Sequence, residues 1–101
     1  MMNRSEEKII MEKENVRIKV RFLGILQKYS DERREVEIDL SSDPETAVEQ
    51  IKKRFELPWE NNLEKITRVF INNQHLSSFI KKGELLNSGD IIAFIQLSGG
   101  G

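Results

Sequence analysis

The residues whose types and spacing point most directly to chemistry are Gly99, Gly100 and Gly101, which end the chain in a carboxylate a few positions after the apolar run at residues 91–95. A glycine run inside a chain is a linker, but one at the end links nothing. Glycine tolerates backbone conformations and close approaches that a Cβ would block, so such an end can thread a narrow channel and present its carboxylate to the active site of another protein. The alternative is a frayed terminus, since disorder concentrates at chain ends. The tail by itself does not choose between the two.

Other candidates for chemistry are sparse. The single histidine, His75, stands beside Asn73 and Gln74 in a hairpin pattern, with no second histidine and no cysteine in the chain to complete a metal site or a nucleophile pair. A surface turn residue is the preferred reading for it. Glu84 with Asp90, or Glu35 with Glu37, would make carboxylate pairs, but strands and turns this rich in acids are ordinarily solvated. No glycine-rich phosphate loop precedes a helix. By elimination, the distinctive chemistry is that of the C-terminal carboxylate, and no resident metal is expected.

A chain of 101 residues makes one domain, with room for a single core and none for a separate cofactor domain. Charged residues are 33% of the chain, yet the net charge is -1, so no field of one sign favours nucleic acid or a membrane surface. Arg33-Arg34 and Lys52-Lys53-Arg54 read as solvated faces. The absence of cysteine removes disulfides and thiolate chemistry and fits a cytoplasmic setting. Residues 1–15 are polar and of mixed charge, with no apolar run of signal-peptide or membrane-spanning length. A soluble, unprocessed protein is expected, with residues 1–15 as a flexible extension, 16–96 as the folded domain and 97–101 as a flexible tail.

The elements that would position that tail are legible from periodicity. In residues 16–23, Val16, Ile18, Val20 and Phe22 alternate with Arg17, Lys19 and Arg21, the pattern of a half-buried strand. Leu23 breaks it by placing an apolar side chain on the charged face. Val36, Ile38 and Leu40 alternate with Glu35, Glu37 and Asp39, giving the second arm of an antiparallel hairpin. Thr46 and Glu49 have capping-box spacing and predict a helix start at Thr46, with Val48, Ile51 and Phe55 as its apolar stripe. Pro58 disfavours helix at Leu57, and residues 59–62 read as loop or a short helical turn, with Trp59 as a packing residue. Val69-Phe70-Ile71 forms a short strand before Asn72-Asn73, a pair suited to tight turns, and a hairpin into residues 75–78 follows. Asn87-Ser88-Gly89-Asp90 is a further turn. It leads into residues 91–95, apolar on both faces and therefore a central strand. The fold class is α+β, a mixed sheet packed on one main helix.

Taken together, Ile18-Lys19-Val20-Arg21-Phe22, Thr46-Ala47-Val48-Glu49, Val69-Phe70-Ile71-Asn72 with Gln74, Ser88-Gly89-Asp90, and Ala93-Phe94 leading to a terminal Gly-Gly resemble the ubiquitin-like sulfur carriers of the molybdopterin synthase small-subunit and thiamine sulfur-carrier type. The resemblance covers almost everything from Val16 to Gly101. It implies a β-grasp fold and a protein that is a substrate, not a catalyst. Gly101 would be adenylated by an E1-like activating enzyme that uses ATP, then converted to a thiocarboxylate. In the molybdopterin branch the large catalytic subunit of molybdopterin synthase receives the tail, with Gly99 and Gly100 in its channel, and uses the sulfur to build the dithiolene of the cofactor. The carrier itself would hold no cofactor.

The chain departs from the family in carrying Ile95-Gln96-Leu97-Ser98 where prolines often follow the last strand, and in its residues before Val16, which make Met11 an alternative initiator. The resemblance also places an apolar docking surface of Leu23, Leu76 and Ile95 against the partner. Patterning supports Leu23, which lies away from the core stripe of Val20 and Phe22, whereas Ile95 also suits the core. Three readings therefore stand: a sulfur carrier for molybdopterin or thiamine synthesis, a ubiquitin-like modifier joined to lysines, and an interaction module with an inert tail.

Overall fold

Strands β1 (Asn15–Leu23) and β2 (Glu35–Ser41) form the antiparallel pair that their matched alternation predicts, with Val16 opposite Leu40 and Arg21 opposite Glu35. This is a computed structural model, and it describes residues 15–96. The extension before Asn15 and the glycine tail lie outside the described residues. Between the two strands the chain makes a 3-10 helix, Gly24–Ser30, which buries Leu26 completely.

Helix α1 (Pro44–Arg54) begins ahead of Thr46. Asp43 is its N-cap: the carboxylate accepts the Thr46 N–H at 2.9 Å and the Thr46 hydroxyl at 2.8 Å. Thr46 therefore occupies the donor position of the first turn, and Glu49 reaches forward to Lys52 at 2.9 Å instead of back to a cap. The physical reason is that Asp is an ionised acceptor and Pro44, at the first helical position, has no N–H to satisfy and a φ already suited to helix. Lys52, Lys53 and Arg54 fill the last turn, where positive charge opposes the helix dipole.

After Leu57 and Pro58 comes a π-helical turn, Trp59–Leu63, and one α-helical turn, Glu64–Ile66. Trp59 packs edge-on against Phe94, ring centroids 5.9 Å apart, and carries the Lys52 ammonium 4.4 Å above its ring. Strand β3 (Thr67–Ile71) turns through Asn72 and Asn73, at φ 50° and 71°, into β4 (Gln74–His75). The expected strand through residue 78 stops at His75, and helix α2 (Leu76–Lys81) follows. His75 is the cause: its Nδ1 accepts the Ser77 N–H at 3.2 Å, which satisfies an otherwise unpaired amide of the first turn. The loop beyond α2 is strapped down where the Leu86 N–H donates to the Ser42 carbonyl at 2.8 Å, with the Leu86 side chain buried.

The last strand, β5 (Ile91–Gln96), lies at the centre of a five-stranded sheet of order β2-β1-β5-β3-β4. It runs parallel to β1 and antiparallel to β3, which makes the sheet mixed. The face towards α1 is closed. Ile18, Val20, Phe22, Ile51, Ile71, Ile92 and Phe94 there have no exposed surface, and Phe22 meets Phe55 edge-on at 5.0 Å and Phe94 at 5.6 Å. Each such side chain contributes about 1.5–3 kcal/mol by leaving water. Among the described residues no helix is long and apolar enough to cross a membrane.

Candidate functional site

The last described residues fix where the tail begins. Ile95 is paired with Leu23 on one side and with Arg68 on the other, and Gln96 is paired with Thr67. Because side chains alternate along a strand, Ile91, Ala93 and Ile95 point away from α1, opposite to buried Ile92 and Phe94.

That open face has rows set by the register. Leu23, Ile95 and Arg68 lie abreast, and Arg21, Ala93, Phe70 and His75 form the next row. Lys19 stands beside Ile91. Leu23, Phe70, Ile91, Ala93 and Ile95 are all half-buried, so the middle of the face is an apolar strip next to the point where the tail leaves. Phe70 meets His75 edge-on at 5.6 Å. The charges divide unevenly. Arg17 reaches Asp39 at 3.1 Å and Glu37 at 3.7 Å, and Arg21 reaches Glu35 at 2.8 Å. Lys19 and Arg68 have no carboxylate within 4.0 Å among the described residues; Arg68 donates instead to the Thr67 carbonyl at 3.1 Å. The strip is thus flanked by positive charge that no described carboxylate neutralises.

The structure brings Leu23 and Ile95 together and keeps Leu76 apart from them. Leu76 packs on the core from the helix side, in a groove shared with Val48, Lys52 and Ile80. The expectation for Leu76 assumed that the strand continued to residue 78; once His75 caps a helix, Leu76 and Ile80, four residues apart, share the side that faces α1. Ile95, which the sequence left between core and surface, is on the open face. Phe70 occupies the place in the strip that Leu76 was expected to fill. Its signal was present in the sequence, because in the run Val69-Phe70-Ile71 alternation must put the middle residue on the face opposite the other two. Gly99, Gly100 and Gly101 lie outside the described residues.

The remaining candidates make structural contacts, apart from Glu84, which is exposed. His75 is exposed, and its Nδ1 also lies 3.0 Å from the Ser77 hydroxyl. Glu35 holds Arg21, and Asp90 accepts the Asn87 N–H at 2.8 Å to close its turn. Among the described residues there is no cluster of His, Cys, Asp and Glu able to hold a metal ion.

Comparison with known proteins gives the same outline. The ThiS family model matches residues 20–101. No curated protein sequence matches the chain. Similar solved structures include the small archaeal modifier protein 1 of Methanosarcina acetivorans, 19% identical with TM-score 0.61 over 86% of this chain and 98% of that one. A Pyrococcus furiosus protein assigned as molybdopterin converting factor subunit 1 is 21% identical, with TM-score 0.60 over 81% of this chain and 98% of its own. Urm1 of Trypanosoma brucei is 18% identical, with TM-score 0.53 over 86% and 97%. At these identities the structural likeness speaks for the fold, which is the ubiquitin-like β-grasp. The family match covers most of the chain, from within β1 through the glycine tail, and on it the chain belongs to the ThiS family of ubiquitin-like sulfur carriers.

Proposed function

We propose that this chain carries sulfur as a thiocarboxylate on Gly101 and acts as the small subunit of molybdopterin synthase in the cytoplasm. The observation that supports this most is the reach of the family match, which runs to Gly101 and so includes the tail. The chemistry is consistent with it. A carboxylate is a poor acyl donor; attack of its oxygen on the α-phosphorus of ATP, in an E1-like activating enzyme, expels pyrophosphate and leaves an acyl adenylate. A sulfide equivalent then displaces AMP and forms the C–S bond. The chain supplies the substrate and the partners supply the catalysis.

In this reading the strip of Leu23, Phe70, Ala93 and Ile95 docks on the activating enzyme and then on the large catalytic subunit, while Gly99 and Gly100 thread a channel that side chains would block. Lys19 and Arg68 suit an acidic rim on the partner. The molybdopterin branch is preferred because one structural relative is assigned as molybdopterin converting factor subunit 1. A second reading, attachment to lysines as a modifier, is favoured by the likeness to the small archaeal modifier protein 1.

Mass spectrometry of the chain from its native cell separates them. A terminal thiocarboxylate is expected; an isopeptide-linked remnant of this chain's C-terminus on lysines of other proteins, with no thiocarboxylate, would establish the modifier, and a thiamine-pathway acceptor would move the carrier to the other branch. Deleting Gly101 is expected to abolish ATP–pyrophosphate exchange with the activating enzyme and leave folding unchanged. Exchange that survives the deletion overturns the assignment of Gly101.

A further inference from the structure

Strand β2 lies at one end of the strand order, and among the described residues no strand lies beyond it. Its pairing with β1 runs without a bulge from Glu35 to Ser41. Just before it, the Phe22 N–H donates to the Arg34 carbonyl at 2.9 Å, and along an antiparallel pair hydrogen-bonded and non-hydrogen-bonded partners alternate. Val36, Ile38 and Leu40 therefore turn their backbone groups towards β1, and Glu35, Glu37, Asp39 and Ser41 turn theirs outwards. Ser41 bears out this phase: its N–H donates to Oε1 of Gln50 on α1 at 2.8 Å and not to β1. Gln50 thus closes the edge at Ser41, and Glu35, Glu37 and Asp39 present a row of backbone donors and acceptors away from the sheet.

Adjoining hollows follow that edge on the side of α1, and Arg54 lines each of them. Their apolar floor is Val36 and Phe55, both half-buried, with Tyr29 at one end and Leu40 at the other. Arg33 joins Arg54 at the Tyr29 end and Lys53 joins it at the Leu40 end. These three exposed cations have no carboxylate within 4.0 Å among the described residues. Asp31 and Glu56 share the Tyr29 end with Arg33. At the Leu40 end the acid is Asp39, which Arg17 already holds at 3.1 Å, so that end is the positive one.

We propose that the β2 edge takes an extended segment of a partner protein as an added strand, with apolar side chains over the groove, uncharged ones on the open face, and an acidic end beside Lys53 and Arg54. A row of outward amides and carbonyls is matched by the backbone of another strand. Side chains of that strand alternate, so one set falls beside Val36 and Ile38 and the other beside Glu35, Glu37 and Asp39, where a further acid is repelled. The same rule disfavours a second copy of β2, whose acids would meet these acids. Free edges are commonly blunted by lysine, proline or a bulge; β2 has none of them. Its guard is the acidic row, which rejects its own copies and admits a strand with a neutral face. The groove opens on the helix side and the strip of Leu23, Phe70 and Ile95 on the opposite face, so a segment bound here leaves the strip free. The proposal goes beyond the sulfur-carrier reading and does not rest on it.

The probe is a short synthetic peptide in which threonine alternates with valine or isoleucine and one end carries aspartates, titrated into the isotope-labelled full chain. Saturable amide shifts are expected at Val36, Arg54 and Phe55, with slowed hydrogen exchange at the outward amides of Glu35, Glu37 and Asp39 and no change at Phe70 or Ile95. Replacing the aspartates by lysines should weaken binding about tenfold, and the double variant Lys53→Glu with Arg54→Glu should reverse that preference. Both side chains are exposed, so the melting temperature of the variant should stay close to native. Methylating the backbone nitrogens of one alternate set of peptide residues should abolish binding, and methylating the other set should leave it, because an added strand turns only every second amide towards its neighbour. Absence of saturable binding overturns the proposal, as do tolerance of both methylated sets and shifts confined to the open face. Slowed exchange at Glu35, Glu37 and Asp39 in the chain alone, together with a dimer in sedimentation, would assign the edge to a second copy and also overturn it. Failure of Gly101 to be activated refutes the sulfur-carrier reading and leaves these outcomes as they are.

Discussion

Strand β5 borders two environments that differ in what covers them. On one face Ile92 and Phe94 lie under α1 and Trp59 with no exposed surface; on the other Ile91, Ala93 and Ile95 are only half-buried among Leu23, Phe70, Lys19 and Arg68. The two rows are both apolar and differ in closure. A closed face stabilises the fold by its own packing, whereas an apolar strip left open beside cations that no described carboxylate pairs contributes little to the isolated chain and is available for a partner. Burial in this domain therefore marks stability, and under the proposed function the partly buried strip of β5 is where docking is expected.

The strongest way to break this comparison is on the closed face. Phe94→Ala removes the ring that meets both Phe22 and Trp59 and is expected to cost about 3–5 kcal/mol in denaturant unfolding. A loss below about 1 kcal/mol would mean that the core is loosely packed there. On the open face Leu23→Glu should behave in the opposite way. A charge desolvated on docking is expected to weaken binding to the activating enzyme by about 2–4 kcal/mol, read by calorimetry, with the unfolding midpoint of the free chain nearly unchanged. Lost stability with intact affinity would place Leu23 in the core and remove the docking strip.

Smaller effects sharpen the contrast. Asp43→Ala removes the cap of α1, the element that closes the inner face, and should lower stability by about 1 kcal/mol without altering affinity for the partner; equal effects on both would show that docking depends on α1. Thr67→Val replaces the buried Thr67 hydroxyl, which has no hydrogen-bond partner among the described residues, by a methyl group of the same shape. Since no described residue hydrogen-bonds that hydroxyl, the change is expected to be neutral or to stabilise by up to about 1 kcal/mol. A clear loss of stability would show that the hydroxyl has a partner in solution.

Much of this was legible beforehand for a simple reason. Alternation in residues 16–23 and 35–40, the asparagine turn at residues 72–73 and the doubly apolar run at 91–95 are local patterns, and the β1–β2 pair, the turn and the central strand follow from them. The errors were local competitions in which one acceptor displaced another. Asp43 outcompeted Thr46 as the cap of α1, and the His75 ring ended β4 and started α2. The second moved Leu76 from the expected docking surface to the helix side.

By itself the sequence determined the strand faces, the main helix, the absence of cysteine chemistry and the family, because each depends on residue type and short spacing. Only the tertiary structure decided which half-buried residues meet. Leu23 of the first strand, Phe70 of the third and Ile95 of the last come together because β5 enters the sheet between β1 and β3. These are contacts between segments far apart in the chain, and no local periodicity encodes the register that makes them.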